Sequence, residues 1–269
     1  MSALIFFVVT AVAYFTKQPW FSVLYATILS LYAKEIKDFL NGHVFCKQIR
    51  ITCSYLFRIE LGGRYFLIKD EHGGNKYRPV GGVYKYKREE IDLFERFGAE
   101  YDGFHDADED VDCDLRIVLP RKAYKDFFDW FASNRAREYM CDVSREFAEE
   151  LIRTGIVDAQ AFDHLSYTYT GSYLEKSRNE SLGLQQYRRY DIIKLNMDKP
   201  QRDCFNALMS KRSDDYVFAI STQIKAGSVI DGARRYIIEP YSKLLTERAL
   251  LSPMDGMAHG EKYNVKLDT

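Results

Sequence analysis

Three glutamates stand at positions 146, 149 and 150, directly after Arg145, in the string REFAEELIRTG (145–155). Residues three and four apart share a helix face. Glu146, Glu149 and Glu150 therefore form one carboxylate cluster, while Phe147 and Leu151 point together toward a core. Like charges this close repel unless a cation sits among them. Mg²⁺ takes hard oxygen ligands of this kind, often with a phosphate as co-ligand. A solvated helix surface is the other reading, since 29% of the chain is charged. A second group of residues suits phosphate. Gly81 and Gly82 close the run KYRPVGGVY (76–84), and paired glycines at a strand end allow close backbone approach to a ligand or helix. Lys69, Arg78 and Arg188 lie on or beside candidate strands and could meet an anion; each also reads as ordinary surface charge. In QYRRY, Arg188 and Arg189 must face opposite sides of a strand, so at most one enters a shared pocket. Tyr77, Tyr187 and Tyr190 suit base stacking or core packing.

The elements that would position these residues follow from periodicity. ITCSYLFRIE (51–60) and RYFLIKD (64–70) are strand-like and joined by Leu61-Gly62-Gly63, a hairpin turn. EEIDLFERFGA is helical and DLRIVLP (114–120) is a strand. The stretch from Lys122 to Gly155 reads as largely helical, with Gly155 as its C-cap. Strands follow at 162–175 and 182–197, then a helix at QRDCFNALMSKR, the strand YVFAIS, a turn at 224–227 and a short helix EPYSKLLTER. HDADEDVDCD (105–114) is a solvated acidic loop, because it lacks the glycine and glutamate positions of a calcium-binding hand.

The N-terminus differs sharply from this. Ala3 to Phe15 and Trp20 to Ala33 carry no charge, and between them stand Lys17 and the helix breaker Pro19. Each run is roughly 14 residues, about 21 Å as helix, against a hydrocarbon core of about 30 Å. Two such runs in tandem read as a short transmembrane hairpin. No Lys or Arg precedes the first run, which argues against a signal peptide. Lys34, Lys37, Lys47 and Arg50 follow the second run, so the positive-inside rule places both chain ends in the cytoplasm, a multi-pass topology. Ser22, Ala26 and Ser30 form a small-residue stripe for close helix packing, within one hairpin or between chains. Such short segments imply bilayer mismatch and clustering.

Net charge of −1 leaves no global basic field for a DNA or RNA polymer. Five scattered cysteines without C-x-x-C spacing argue against a disulfide framework or zinc site and fit a reducing compartment.

The ordered set resembles a Nudix domain: a strand ending in Gly-Gly, the Arg-Glu-Phe-Ala-Glu-Glu-Leu helix, then strands and a closing helix. Arg145, Glu146, Phe147, Glu149 and Glu150 match the core of the Nudix box. The box glycine and glutamate expected fourteen and eight residues before Arg145 are Phe131 and Arg137, and its trailing glycine is Ile152. Gly81-Gly82 could supply the first glycine only across a long insertion, about 85–140. KYRPVGGVYKY, QQYRRYDIIKL and the hairpin together resemble the SMODS-associated Nudix proteins of bacterial CBASS antiphage systems. The fold this implies is α+β: a two-helix transmembrane hairpin (1–35), a linker (36–50), a Nudix-like mixed-sheet α/β/α domain (51–245) and a C-terminal tail (246–269). The function it implies is an inner-membrane effector. Its cytoplasmic domain would sense a cyclic oligonucleotide from a cGAS-like synthase, through Lys69, Arg78, Gly81, Gly82 and Arg188. Ligand-driven homo-oligomers would then gather hairpins and disrupt the membrane. The alternative is a membrane-tethered Mg²⁺-dependent Nudix hydrolase of a nucleoside diphosphate derivative, with Glu146, Glu149 and Glu150 on the metal and Glu149 the catalytic residue to test. A membrane-bound adaptor with no ligand is the third reading.

Overall fold

A computed structural model describes residues 48–70, 74–87, 89, 92–102, 113–133, 137–138, 142–247 and 262–267. The two apolar runs, linker residues 36–47 and most of the acidic loop lie outside these residues. Among the described residues no helix is long and apolar enough to cross a membrane.

The chain opens with β1 (Gln48–Arg58), β2 (Glu60–Leu61), β3 (Arg64–Lys69) and β4 (Lys76–Arg78). Then come α1 (Leu93–Phe97), β5 (Glu100–Tyr101), β6 (Arg116–Pro120) and α2 (Tyr124–Ala132). The box helix α3 (Ser144–Phe147) continues as a π turn (Ala148–Ile152). Two long strands follow, β7 (His164–Asn179) and β8 (Leu184–Leu195), then α4 (Lys199–Met209), β9 (Tyr216–Ile220) and α5 (Ser221–Ala226). The hairpin β10 (Ser228–Asp231) and β11 (Arg234–Ile238), a 3₁₀ segment (Pro240–Leu245) and β12 (Lys262–Lys266) complete it.

Two sheets form, in the orders β12-β7-β8-β1-β6-β5 and β10-β11-β4-β3-β2, with β9 also on β3. β1 and β8 are parallel while most other pairs are antiparallel, so the sheets are mixed as expected. Alternation along β1 and β8 divides their side chains between two faces. Leu56, Tyr190 and Ile192 pack into a core with Leu67, Tyr77, Val217, Val229 and Tyr236 of the second sheet. Phe57 on the other face meets Phe147 of α3, ring centroids 5.7 Å apart. Such edge-on aromatic contacts add about 0.5–1.5 kcal/mol beyond area burial.

Three differences from the sequence reading stand out. In the stretch read as largely helical, the described residues form α2 and α3, and Arg137 between them bridges to Tyr86 in strand fashion. The turn read at 224–227 is the end of α5, capped by Gly227. Within the tail, Lys262–Lys266 is a strand that pairs with β7.

Candidate functional site

The two glycines and the box helix meet. From Pro79 onward the chain leaves β4 and runs along the second half of β1, where Tyr55 N–H donates to the Gly82 carbonyl at 2.9 Å and Phe57 N–H to the Val80 carbonyl at 2.8 Å. At Gly81, φ is +149° and a Cβ would collide with the Tyr55 carbonyl. At Gly82 a Cβ would fall on the Glu146 carboxyl group. Only glycine lets the strand end lie against the glutamates. The long insertion is thereby closed in space.

Each carboxylate of the cluster is held by a guanidinium. Arg145 Nη1 lies 2.9 Å from Glu146 Oε1 and 3.0 Å from Glu149 Oε2. Glu150 turns the other way, accepting from Arg78 Nη2 at 2.5 Å and from the Gly81 N–H at 3.0 Å. Arg78 also sits 3.6 Å from Asp70. The π turn places Glu149 and Glu150 on these different partners while Phe147 and Leu151 stay fully buried. Such turns often mark functional sites.

A residue the sequence reading passed over completes the brace. The glutamate expected eight residues before Arg145 is Arg137, but Glu138, one residue later, accepts from Arg145 Nε at 3.2 Å and from the Lys85 N–H at 2.8 Å. A single-residue register shift hid it. Phe131 and Arg137, which stand at the two departed box positions, have another task. The Phe131 ring meets two guanidinium groups, that of Arg137 at 3.9 Å from its centroid and that of Arg189 at 4.7 Å. Behind it is a buried network. Arg189 Nε donates to Asp191 Oδ1 at 2.8 Å, Ser172 Oγ donates to the same oxygen at 2.7 Å, and Tyr84 OH donates to Asp191 Oδ2 at 2.9 Å.

Burial sets the electrostatics. It raises the Glu150 carboxyl to about 7, against the pull of Arg78 and Gly81, and Glu146 adds to the rise. Burial likewise raises Glu138. The Tyr55 hydroxyl, raised first by burial and then by Glu138 and Glu146, is buried beside the cluster without a hydrogen-bond partner, as is Arg145 Nη2.

Arg78, Gly81, Gly82, Glu146, Glu149 and Glu150 thus come together. Lys69 does not join them: it pairs in register with Tyr77, and Ile68 pairs with Arg78, so Lys69 points to the opposite face of the sheet. Arg188 is 41% exposed and lies 3.6 Å from Glu175. The three candidate stacking tyrosines already pack on rings: Tyr77 on Tyr236, Tyr187 on Tyr124, and Tyr190 parallel to Tyr241 at 5.7 Å. As arranged, the glutamates fit guanidinium partners better than Mg²⁺. Among the described residues no three potential metal ligands converge.

Residues 48–246, well over half of the chain, match the family model of the SMODS-associated NUDIX domain. No curated protein matches the sequence.

Proposed function

The chain belongs to the SMODS-associated NUDIX domain family, and from that premise we propose that it is a membrane effector of a CBASS-type antiphage system. In this reading its Nudix-like domain senses a cyclic oligonucleotide and does not turn it over. The observation that carries the reading is the state of the box glutamates. Arg145 and Arg78 hold all three, so this face offers two guanidinium groups and the Gly81 N–H to a ligand that displaces the carboxylates. A phosphate reaching this face competes with carboxylates for Arg78 and Arg145, an exchange of one charge-assisted pair for another. That exchange moves β4 or the π turn. It drives assembly only insofar as the ligand binds the assembled state more tightly. The apolar runs at 3–15 and 20–33, a bacterial inner-membrane hairpin in this proposal, then gather and breach the bilayer.

The test is full-length protein in dye-loaded liposomes titrated with cyclic di- and trinucleotides. Leakage with one of them is expected; intact vesicles and unchanged assembly with every one would remove the reading. The recovered Arg145–Glu138 brace favours a second reading, a Mg²⁺-dependent hydrolase of nucleoside diphosphate derivatives, whose glutamates would have to release their arginines. Under it, Mg²⁺-dependent cleavage of a dinucleotide panel would fall at least a hundredfold in Glu149→Gln.

A further inference from the structure

The second sheet contains an opening that the box does not use. Among the described residues β9 pairs only with β3, and β10 only with β11, so each has an edge that no described strand covers. The two strands are joined at one end through α5. At the other end Arg212 clamps Asp231 through two contacts, Nε–Oδ2 at 2.8 Å and Nη2–Oδ1 at 2.9 Å. Arg234 holds Asp214 at 2.7 Å, and Tyr236 OH donates to the Ser213 carbonyl at 3.4 Å. A cavity of about 370 Å³ lies in this frame, with Val217 and Phe218 on the β9 side and Val229 and Ile230 on the β10 side.

Its charge is the reverse of the box. Arg64, Lys211 and Arg212 line it, against one carboxylate, Asp231, which Arg212 already engages. Neither the Arg64 nor the Lys211 side chain has an ion-pair partner among the described residues. At the box, by contrast, both site arginines are taken by glutamates. Uncommitted positive charge next to a cavity therefore occurs in the slot. Ile230, 70% exposed at its edge, offers aliphatic surface beside those cations. The volume falls within the range for small-molecule sites.

We propose that the slot between β9 and β10 binds an organic phosphate, its phosphate on Arg64 and Lys211 and its apolar body against Phe218 and Ile230. Two sources share this chemistry, a free nucleotide and a phospholipid headgroup. The site stands apart from the sensing reading, which concerns the box face.

Full-length protein in a neutral detergent is titrated calorimetrically with adenosine monophosphate in one arm and with phosphatidylglycerol mixed micelles in the other. Saturable binding in either arm is expected, and that arm identifies the source. The double variant Arg64→Ala/Lys211→Ala, which removes both positive charges, should bind at least tenfold more weakly with an unchanged unfolding midpoint, and added salt should weaken the wild type. No binding in either arm, or equal binding by the double variant, overturns the proposal. Nucleotide binding that is lost in Arg78→Ala and kept in the double variant also overturns it, and leaves the sensing reading standing. Slot binding in a protein that no cyclic nucleotide makes leak supports the slot and removes the sensing reading.

Discussion

Two regions of this molecule use the same pair of side chains to different ends. In the interior, Arg189 and Asp191 are both 0% exposed, and Asp191 takes hydrogen bonds from Arg189, Ser172 and Tyr84. At the box, Arg145 is 29% exposed and shared among Glu138, Glu146 and Glu149. Ions removed from water depend wholly on their fixed partners, because nothing else can replace them. Ions at a half-open face can trade one partner for another, or for a ligand's phosphate, at small cost. The difference teaches where this domain can respond. The interior network ties β7 and β8 to the segment that carries Tyr84, and the box face is free to rearrange.

The strongest way to break that comparison is Asp191→Asn. It leaves the Arg189 guanidinium buried without its counter-charge, and loss of one member of a buried pair costs about 3–5 kcal/mol. Urea unfolding of the full-length protein should show a drop of that size. Replacing both members by apolar residues, Arg189→Met with Asp191→Leu, should recover much of it. A drop below about 1 kcal/mol would mean that water reaches the network and that the two regions do not differ in kind.

The sequence made part of this legible. Helical spacing put Glu146 and Glu149 on one partner, Arg145, but the π turn gives Glu150 to Arg78 instead; the glycine pair could be read as a place of close approach, and it stands in the structure. Glu138 stayed hidden because a one-residue shift in spacing removes it from a motif while the fold still delivers its carboxylate to Arg145. Alternation along β8 said that Arg188 and Arg189 face opposite ways, but not which is buried. That depends on Phe131 and Asp191, and Phe131 lies on a distant element. The break between α2 and α3 was illegible for a related reason. Helix-forming residues fill the stretch, yet Arg137 is drawn into a bridge with Tyr86, and tertiary contacts override local propensity. The β10–β11 hairpin had a signal in Asp231-Gly232, a turn pair between apolar residues, that the sequence reading did not use.

A smaller effect sharpens the comparison from the box side. Glu150 has a folded pKa of about 7, above its ordinary 4.5, because burial outweighs Arg78 and the Gly81 N–H. Between those values the folded state binds more protons than the unfolded state, so stability must fall as pH rises from about 4.5 to 7. The contribution is fully present below that window and lost above it, with a slope no steeper than about 1.4 kcal/mol per pH unit. Asp114, raised by burial to about 6, titrates in the same window, so the wild type alone cannot isolate Glu150. Subtracting the stability of Glu150→Gln at each pH does so, because Asp114 is common to both proteins. The difference should slope through the window and flatten on either side. A difference that stays flat from pH 5 to 7 would mean that Glu150 remains ionised on Arg78 throughout, which would make the box face as fixed as the interior and leave a ligand nothing there to exchange.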